Sequence, residues 1–226
     1  MSTFSSTTLS GFTCLIHFFT CFFFSFPWDK VSAANWIKYP NPITPHVTNI
    51  DYLSRHVDPS TGFIHTERLI TCRQTVPEFF VKLFGGQNTS MVLERSVVDP
   101  ERRKLVLKSR NVTLSHIMTV EETCTYEPSE TDTTEKTRFK QEASITAWSG
   151  WSYIREALED FSVSRFQANA AKGRAALEQV LQDLNTDPAR LFLQKFGSEE
   201  LVRRVMINHV REESLKMAEE GILEPE

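Results

Sequence analysis

Residues 151–184 read WSYIREALEDFSVSRFQANAAKGRAALEQVLQDL, and their spacing decides the fold. Ile154, Leu158, Phe161, Arg165, Ala168 and Lys172 fall at alternating steps of four and three, which puts them on one seam of a helix. A neighbouring seam carries Phe166, Ala170, Leu177, Leu181 and Leu184, so the apolar face is broad. At 1.5 Å per residue the helix is about 45–50 Å long. Such a face needs a partner surface, and the preceding residues must supply it.

Upstream of this helix the pattern changes to strand-like runs. Six of them follow in order: His46–Asp58, Gly62–Thr75, Thr89–Val98, Lys104–Val112, Ile117–Tyr126 and Thr137–Trp148. Turn signals separate them, among them Asp58-Pro59-Ser60-Thr61-Gly62, Gly85-Gly86-Gln87-Asn88 and Asp99-Pro100. Successive strands with short connections read as an antiparallel meander. The fold class is therefore α+β, a curved antiparallel sheet closed by a long C-terminal helix across its concave side. Several strands are polar on both faces, as at Thr66, Arg68, Thr119, Glu121, Thr123 and Thr125. The inner face of such a sheet is either solvated, the commoner case, or encloses a cavity with polar contents.

The 226 residues fit one medium domain with extensions, or two very small ones. With 40% hydrophobic and 24% charged residues, the chain as a whole is neither disordered, fibrous nor a multi-span membrane protein. A net charge of −4 exerts no global pull on nucleic acid, so any anion site is a local cluster of Lys and Arg. Seventeen Phe against eight Gly point to large apolar surfaces that need covering. Cys14, Cys21, Cys72 and Cys124 show no CxxC spacing. They read as isolated apolar thiols, with neither a metal site nor a disulfide framework expected.

From Met1 to Trp28 there is no Asp, Glu, Lys or Arg. The apolar run within it, Gly11–Phe26, falls short of the about 20 residues a spanning helix needs. It lacks the cationic start and small-residue cleavage site of a secretory signal, and it is not an Arg-rich amphipathic presequence. Phe, Thr and Cys favour strand, so Phe18–Phe26 is expected as an edge strand of the following domain, with a membrane-seeking segment as the alternative. Pro27-Trp28-Asp29 then opens a short helix, Lys38 lies on its last turn, and Pro40-Asn41-Pro42 stops it. These signals divide the chain into an uncharged extension (1–17), a domain (18–186) and a helical tail (187–226).

Catalytic motifs such as GxGxxG, the P-loop, HExxH and GxSxG are absent, and an enzyme is not expected. Two anomalies remain. Arg165 and Lys172 sit two turns apart on an apolar seam, where an unpaired buried cation costs several kcal/mol. Either they reach solvent or pair with an acid such as Glu121 or Glu142, or they face a cavity and meet an anion. Arg174 lies about 200° round the helix from Lys172. The second anomaly is Pro77–Gly86, which is either a short helix capping the core or a movable lid hinged at Gly85-Gly86. In the latter reading Phe79, Phe80, Leu83 and Phe84 are able to enter a bilayer surface.

Six segments together resemble the PRELI/slowmo family: PWDKVSAANWIKYPNPITPHV (Pro27–Val47), TERLITCRQTVP (Thr66–Pro77), SVVDP (Ser96–Pro100), VEETCTYEP (Val120–Pro128), QEASITAW (Gln141–Trp148) and EDFSVSRFQANAAKGR (Glu159–Arg174). The resemblance runs in consistent order from Pro27 to Leu184. AANWIKYPN, TERLIT, the Gly pair after the lid and QEASITA are most similar to the fungal branch associated with phosphatidylserine transfer, with the phosphatidic-acid branch second.

The resemblance implies a domain like the START and phosphatidylinositol-transfer folds, enclosing one acidic phospholipid and carrying it across the mitochondrial intermembrane space. It also implies a small twin-Cx9C helical partner and transient contact with anionic mitochondrial membranes, with no cofactor and no nucleic acid. The family's headgroup cations fall on Lys38, Arg165 and Lys172, and His46 occupies the PHV position. Where relatives that move phosphatidic acid carry Lys, this chain has Cys72 and Thr75, with Arg73 adjacent. The family's first strand, just before the PWD motif, would come from Phe18–Phe26. Two other classes remain open, a lipid-modifying enzyme on the same cavity and a regulatory module that senses lipid without moving it.

Overall fold

The computed structural model describes residues 2–10, 13–73, 89–116, 118–148, 152–188 and 191. Eight strands form one antiparallel sheet: β1 (Ser2–Ser10), β2 (Thr13–Phe24), β3 (Val47–Val57), β4 (Ile64–Arg73), β5 (Thr89–Asp99), β6 (Lys104–Asn111), β7 (Met118–Pro128) and β8 (Thr137–Trp148). Their order is β1-β2-β8-β7-β6-β5-β4-β3. Helix α1 (Trp28–Ile37) leads from β2 to β3, and helix α2 (Ser152–Thr186) follows β8. The chain separates into two compact units, Met1–Leu181 and Gln182–Glu226, and the sheet lies in the first.

Alternation explains why the strands form. On β8, Thr137, Phe139, Gln141, Ala143 and Ile145 are buried while the residues between them are partly or fully exposed. On β6, Leu105 and Leu107 face inward between the exposed Lys104 and Lys108. The β3–β4 turn follows its sequence signal: Asp58 Oδ1 accepts from the Ser60 N–H (2.8 Å) and Oγ (2.7 Å), and Gly62 takes the φ of +70° that closes the loop.

The N-terminal stretch is a strand, but not an edge strand. β2 pairs with β8 along its whole length, from Thr13 opposite Trp148 to Phe24 opposite Thr137, and β1 lies outside it. Residues 2–10, placed by the sequence in an extension, therefore belong to the sheet, and a boundary at 17/18 falls inside β2. Ile16, Phe18, Phe22 and Phe24 are buried. They give the apolar run an occupation within the sheet, in place of a membrane. Among the described residues no helix is long and apolar enough to cross a bilayer.

One end of the inner face is filled by rings. Phe22 and Phe139 have centroids 4.6 Å apart, and Tyr126 and Phe139 4.8 Å apart, with Phe24 5.0 Å from Phe22. Helix α1 covers this end with Val31, Ser32, Ala34 and Asn35 buried, and Trp28 Nε1 donates to the Tyr126 carbonyl at 3.1 Å. Helix α2 lies over the rest. Phe166 stacks on Phe18 (5.0 Å), the Arg174 guanidinium sits 4.1 Å from the Phe22 ring centre, and Asn41 Nδ2 donates to the Ala176 carbonyl (3.4 Å).

The inward face of α2 is the seam of Phe166, Ala170, Leu177 and Leu181. Leu177 and Leu181 are buried, whereas Ala168 and Lys172 on the other seam are exposed. The side chains of Ile154, Leu158 and Phe161 lie outside the described ones.

Candidate functional site

Between the inner face of the sheet and α2 lies a cavity of about 600 Å³. That volume falls within the range of small-molecule sites, about 300–1,000 Å³. Its walls are chiefly apolar, from Phe18, Phe22, Ile70, Val92, Val120, Ile145 and Phe166, and one band of polar residues crosses them.

The register builds that band. Arg68 on β4 is opposite Glu94 on β5, Glu94 is opposite Ser109 on β6, and Ser109 is opposite Glu122 on β7. Facing partners this close interact directly. Arg68 donates to Glu94 Oε1 from Nε (2.9 Å) and Nη2 (2.5 Å), and Ser109 Oγ to Glu122 Oε2 (3.2 Å). Gln141 on β8 donates to Glu122 Oε1 and stands opposite Thr20 on β2, which also lines the cavity. Arg68 is only 2% exposed, and its guanidinium lies 5.0 Å from the ring centre of Trp36 on α1. The inner face of the sheet thus encloses a cavity with polar contents, against the commoner expectation of a solvated one. Of the polar residues singled out in the sequence, Arg68 joins the band, whereas Thr119, Glu121, Thr123 and Thr125 alternate on β7 with the lining Met118, Val120, Glu122 and Cys124.

Lys38, one residue beyond α1, also lines the cavity, with Nζ 4.8 Å from the Tyr39 ring centre. Burial disfavours its charge, but attraction from Tyr39, Glu94 and Cys124 outweighs this and raises its pKa. Of these three, Glu94 is the one carboxylate, and it lines the same cavity as Lys38. Burial pushes the Cys72 thiol up to about 11, and burial with the Glu122 carboxylate pushes Cys124 up as well. Both thiols facing the cavity are therefore protonated and poor nucleophiles. No group of three metal-ligating side chains occurs among the described residues.

Where β4 runs out, His46 and Arg165 reach the cavity wall. Burial lowers the His46 pKa, and the charges of Lys172 and Arg165 lower it further, which places all three groups in one electrostatic neighbourhood. His46 Nδ1 is buried with no hydrogen-bond partner among the described residues. Such an atom inside a polar pocket suits a ligand donor or acceptor.

The sequence-derived candidates are thus placed unequally. Lys38, His46 and Arg165 line the cavity. Lys172 is exposed and does not; it acts on His46 from outside the wall. Arg73 is exposed too, and only its backbone N–H meets His46, donating to the carbonyl at 2.7 Å. Arg174, set apart by helical angle, does line the cavity and donates from Nε to Glu178 (2.9 Å). Of the acids offered as partners for Arg165 and Lys172, Glu121 is 3.8 Å from Arg110 and both Glu121 and Glu142 are exposed. Phe79, Phe80, Leu83, Phe84, Gly85 and Gly86 lie outside the described residues. Sequence reasoning missed Glu94, Glu122 and Gln141 as site residues; strand register is the signal that would have found the two acids, by aligning Glu94 and Glu122 with Arg68, and Gln141 reaches Glu122 diagonally.

A curved antiparallel sheet with one long helix over a cavity defines the START-like class of folds. The crystal structure of TTHA0849 from Thermus thermophilus shares this architecture, with a TM-score of 0.50 at 14% identity over 75% of this chain and 99% of that one. Within the class, the chain belongs to the PRELI-like family, whose model matches residues 29–187. It is 45% identical to Protein UPS2, mitochondrial, of Saccharomyces cerevisiae over 70% of this chain and 69% of that one. It is 38% identical to UPS-like protein C36.10 of Schizosaccharomyces pombe (81% and 97%) and 36% identical to a slowmo homolog of Dictyostelium discoideum (68% and 66%).

Proposed function

We propose that the chain carries an acidic glycerophospholipid across the mitochondrial intermembrane space, phosphatidylserine in first place and phosphatidic acid in second. The observation that carries this is the cavity itself, apolar over most of its wall and provided with Lys38, His46 and Arg165. Family membership and the mitochondrial name of the yeast relative support the compartment.

Tens of methylenes resist entering water, at about 0.8 kcal/mol each, so an uncovered phospholipid leaves its membrane slowly. Enclosing the tails between sheet and α2 lowers that barrier without a covalent step. The phosphate is held by charge-assisted hydrogen bonds from Arg165, Lys38 and His46, which are strong in a partly dry site. Arg73 and Lys172 attract it from outside the wall. The lid of Phe79, Phe80, Leu83 and Phe84, hinged at Gly85-Gly86, opens on an anionic membrane and closes in solution. A twin-Cx9C helical partner stabilises the loaded chain.

The test is transfer between donor and acceptor liposomes, with mass spectrometry of lipid that co-purifies with the chain. Arg165→Glu combined with Lys172→Glu should abolish transfer while thermal unfolding stays unchanged; undiminished transfer would refute their role. Binding without transfer would convert the carrier into a sensor, and a chemically altered lipid would make it an enzyme.

A further inference from the structure

A cation on the wall of a largely apolar cavity needs a counter-charge whether or not a ligand is present. For Lys38 the sheet supplies one. Glu94 lines the same cavity, and Arg68 fastens it with two bonds, both to Oε1, which leaves Oε2 available to a second donor. Arg68 in turn packs 5.0 Å from the ring centre of Trp36, two residues before Lys38. The carboxylate on β5 is therefore held from the α1 side, and Lys38 just past α1 lines the cavity it faces. Glu94 also attracts the Lys38 charge. Two cations thus act on one carboxylate, Arg68 by direct bonds and Lys38 from the same cavity wall.

We propose that Glu94 is the resident counter-anion of Lys38 and the competitor of the lipid phosphate. It holds the ammonium while the cavity is empty, yields it when a phosphate arrives, and recovers it on delivery. Arg68 stays on Glu94 throughout, so neither stage leaves a buried carboxylate unpaired. The carboxylate therefore lowers affinity and hastens release, both of which a carrier needs. This rests on the reading of the chain as a carrier of acidic phospholipid.

The test is Glu94→Gln, which keeps the shape and removes the charge. Binding to phosphatidylcholine vesicles containing phosphatidylserine should tighten about tenfold, equivalent to about 1.4 kcal/mol. Release from the loaded chain into acceptor vesicles should slow by a comparable factor, and vesicles containing phosphatidic acid should show the same pair of effects. Because Glu94→Gln strips Arg68 of its partner, the neutral pair Arg68→Gln/Glu94→Gln is run beside it, with thermal unfolding recorded for both. The folded variant or variants should show tighter binding with slower release. Weaker or unchanged binding in a folded variant overturns the competitor role, because a carboxylate that merely supports Lys38 would cost affinity when removed. Failure of the unsubstituted chain to bind either lipid would remove the carrier reading itself, and this inference with it.

Discussion

Arg68→Met offers the sharpest test of how the cavity is held open. The guanidinium is 2% exposed and its partner Glu94 13% exposed, so the pair is shielded from solvent on both sides. Breaking a buried pair by deleting one partner costs about 3–5 kcal/mol, because the remaining charge is stranded. Glu94 keeps the attraction of Lys38 and faces a cavity rather than packed side chains, which puts the cost at the low end, about 3 kcal/mol. For a domain of this size that lowers Tm by about 6–12 °C. Urea unfolding followed by tryptophan fluorescence reads the loss. The neutral pair Arg68→Gln/Glu94→Gln should recover much of it, since no charge is then stranded. Arg95→Met is the internal comparison: Arg95 pairs with Glu67 at 2.8 Å on the outer face and is 71% exposed, so its loss should cost under about 1 kcal/mol. If Arg68→Met costs no more than Arg95→Met, the band is not a structural brace and the reasoning fails.

Two further outcomes follow from the titrating groups. The folded chain holds the His46 pKa below 6.5, so the unfolded chain binds that proton more readily and stability declines as pH falls through the range just under 6.5. A phosphate beside the imidazole reverses the preference, so binding of anionic vesicles should take up protons in that range and tighten there. Calorimetry in buffers of different ionisation heat measures the uptake, and an identical proton count for His46→Asn would detach the residue from the headgroup. At pH 8 a thiol with a pKa of about 11 has about a hundredth of the thiolate of one at 9.0, so iodoacetamide should label Cys72 about a hundredfold more slowly in the folded chain than in urea; equal rates would show that the cavity wall is open at that point.

The fold was largely legible because its strands alternate and its long helix keeps a regular period. The runs expected over Thr89–Val98, Lys104–Val112 and Thr137–Trp148 agree with β5, β6 and β8 to within one residue at their ends. β2 was harder to place because phenylalanine occupies both of its faces. Phe18, Phe22 and Phe24 point inward while Phe23 is 52% exposed, so composition masks the period of two and the strand reads as a uniform apolar block. On α2 both seams looked plausible. Choosing between them required the sheet, because only contact with Phe18 and Phe22 turns Phe166 and Arg174 inward. Of the site's basic residues, Arg165 was visible as a charge out of place on an apolar seam, whereas Lys38 and His46 were marked only by the family resemblance. The site's carboxylates were not visible, since Glu94 and Glu122 look like ordinary strand residues until register sets them in one row with Arg68 and Ser109.

The last strand in the sheet order, β3, has a consequence for how copies of this chain meet one another. Its outward rim carries Tyr52, Leu53 and Val57 about half exposed, and a bare ribbon of that kind would recruit a neighbour's backbone. Two breaks in its pairing, between Val47 and Asn49 and between Tyr52 and Ser54, throw its donors and acceptors out of step with any straight ribbon laid alongside. Asp51 and Arg55 stand along the same rim, where a second copy would have to strip them of water. At this edge the strand's own irregularity makes a ninth ribbon a poor fit, which disfavours polymerisation through β3.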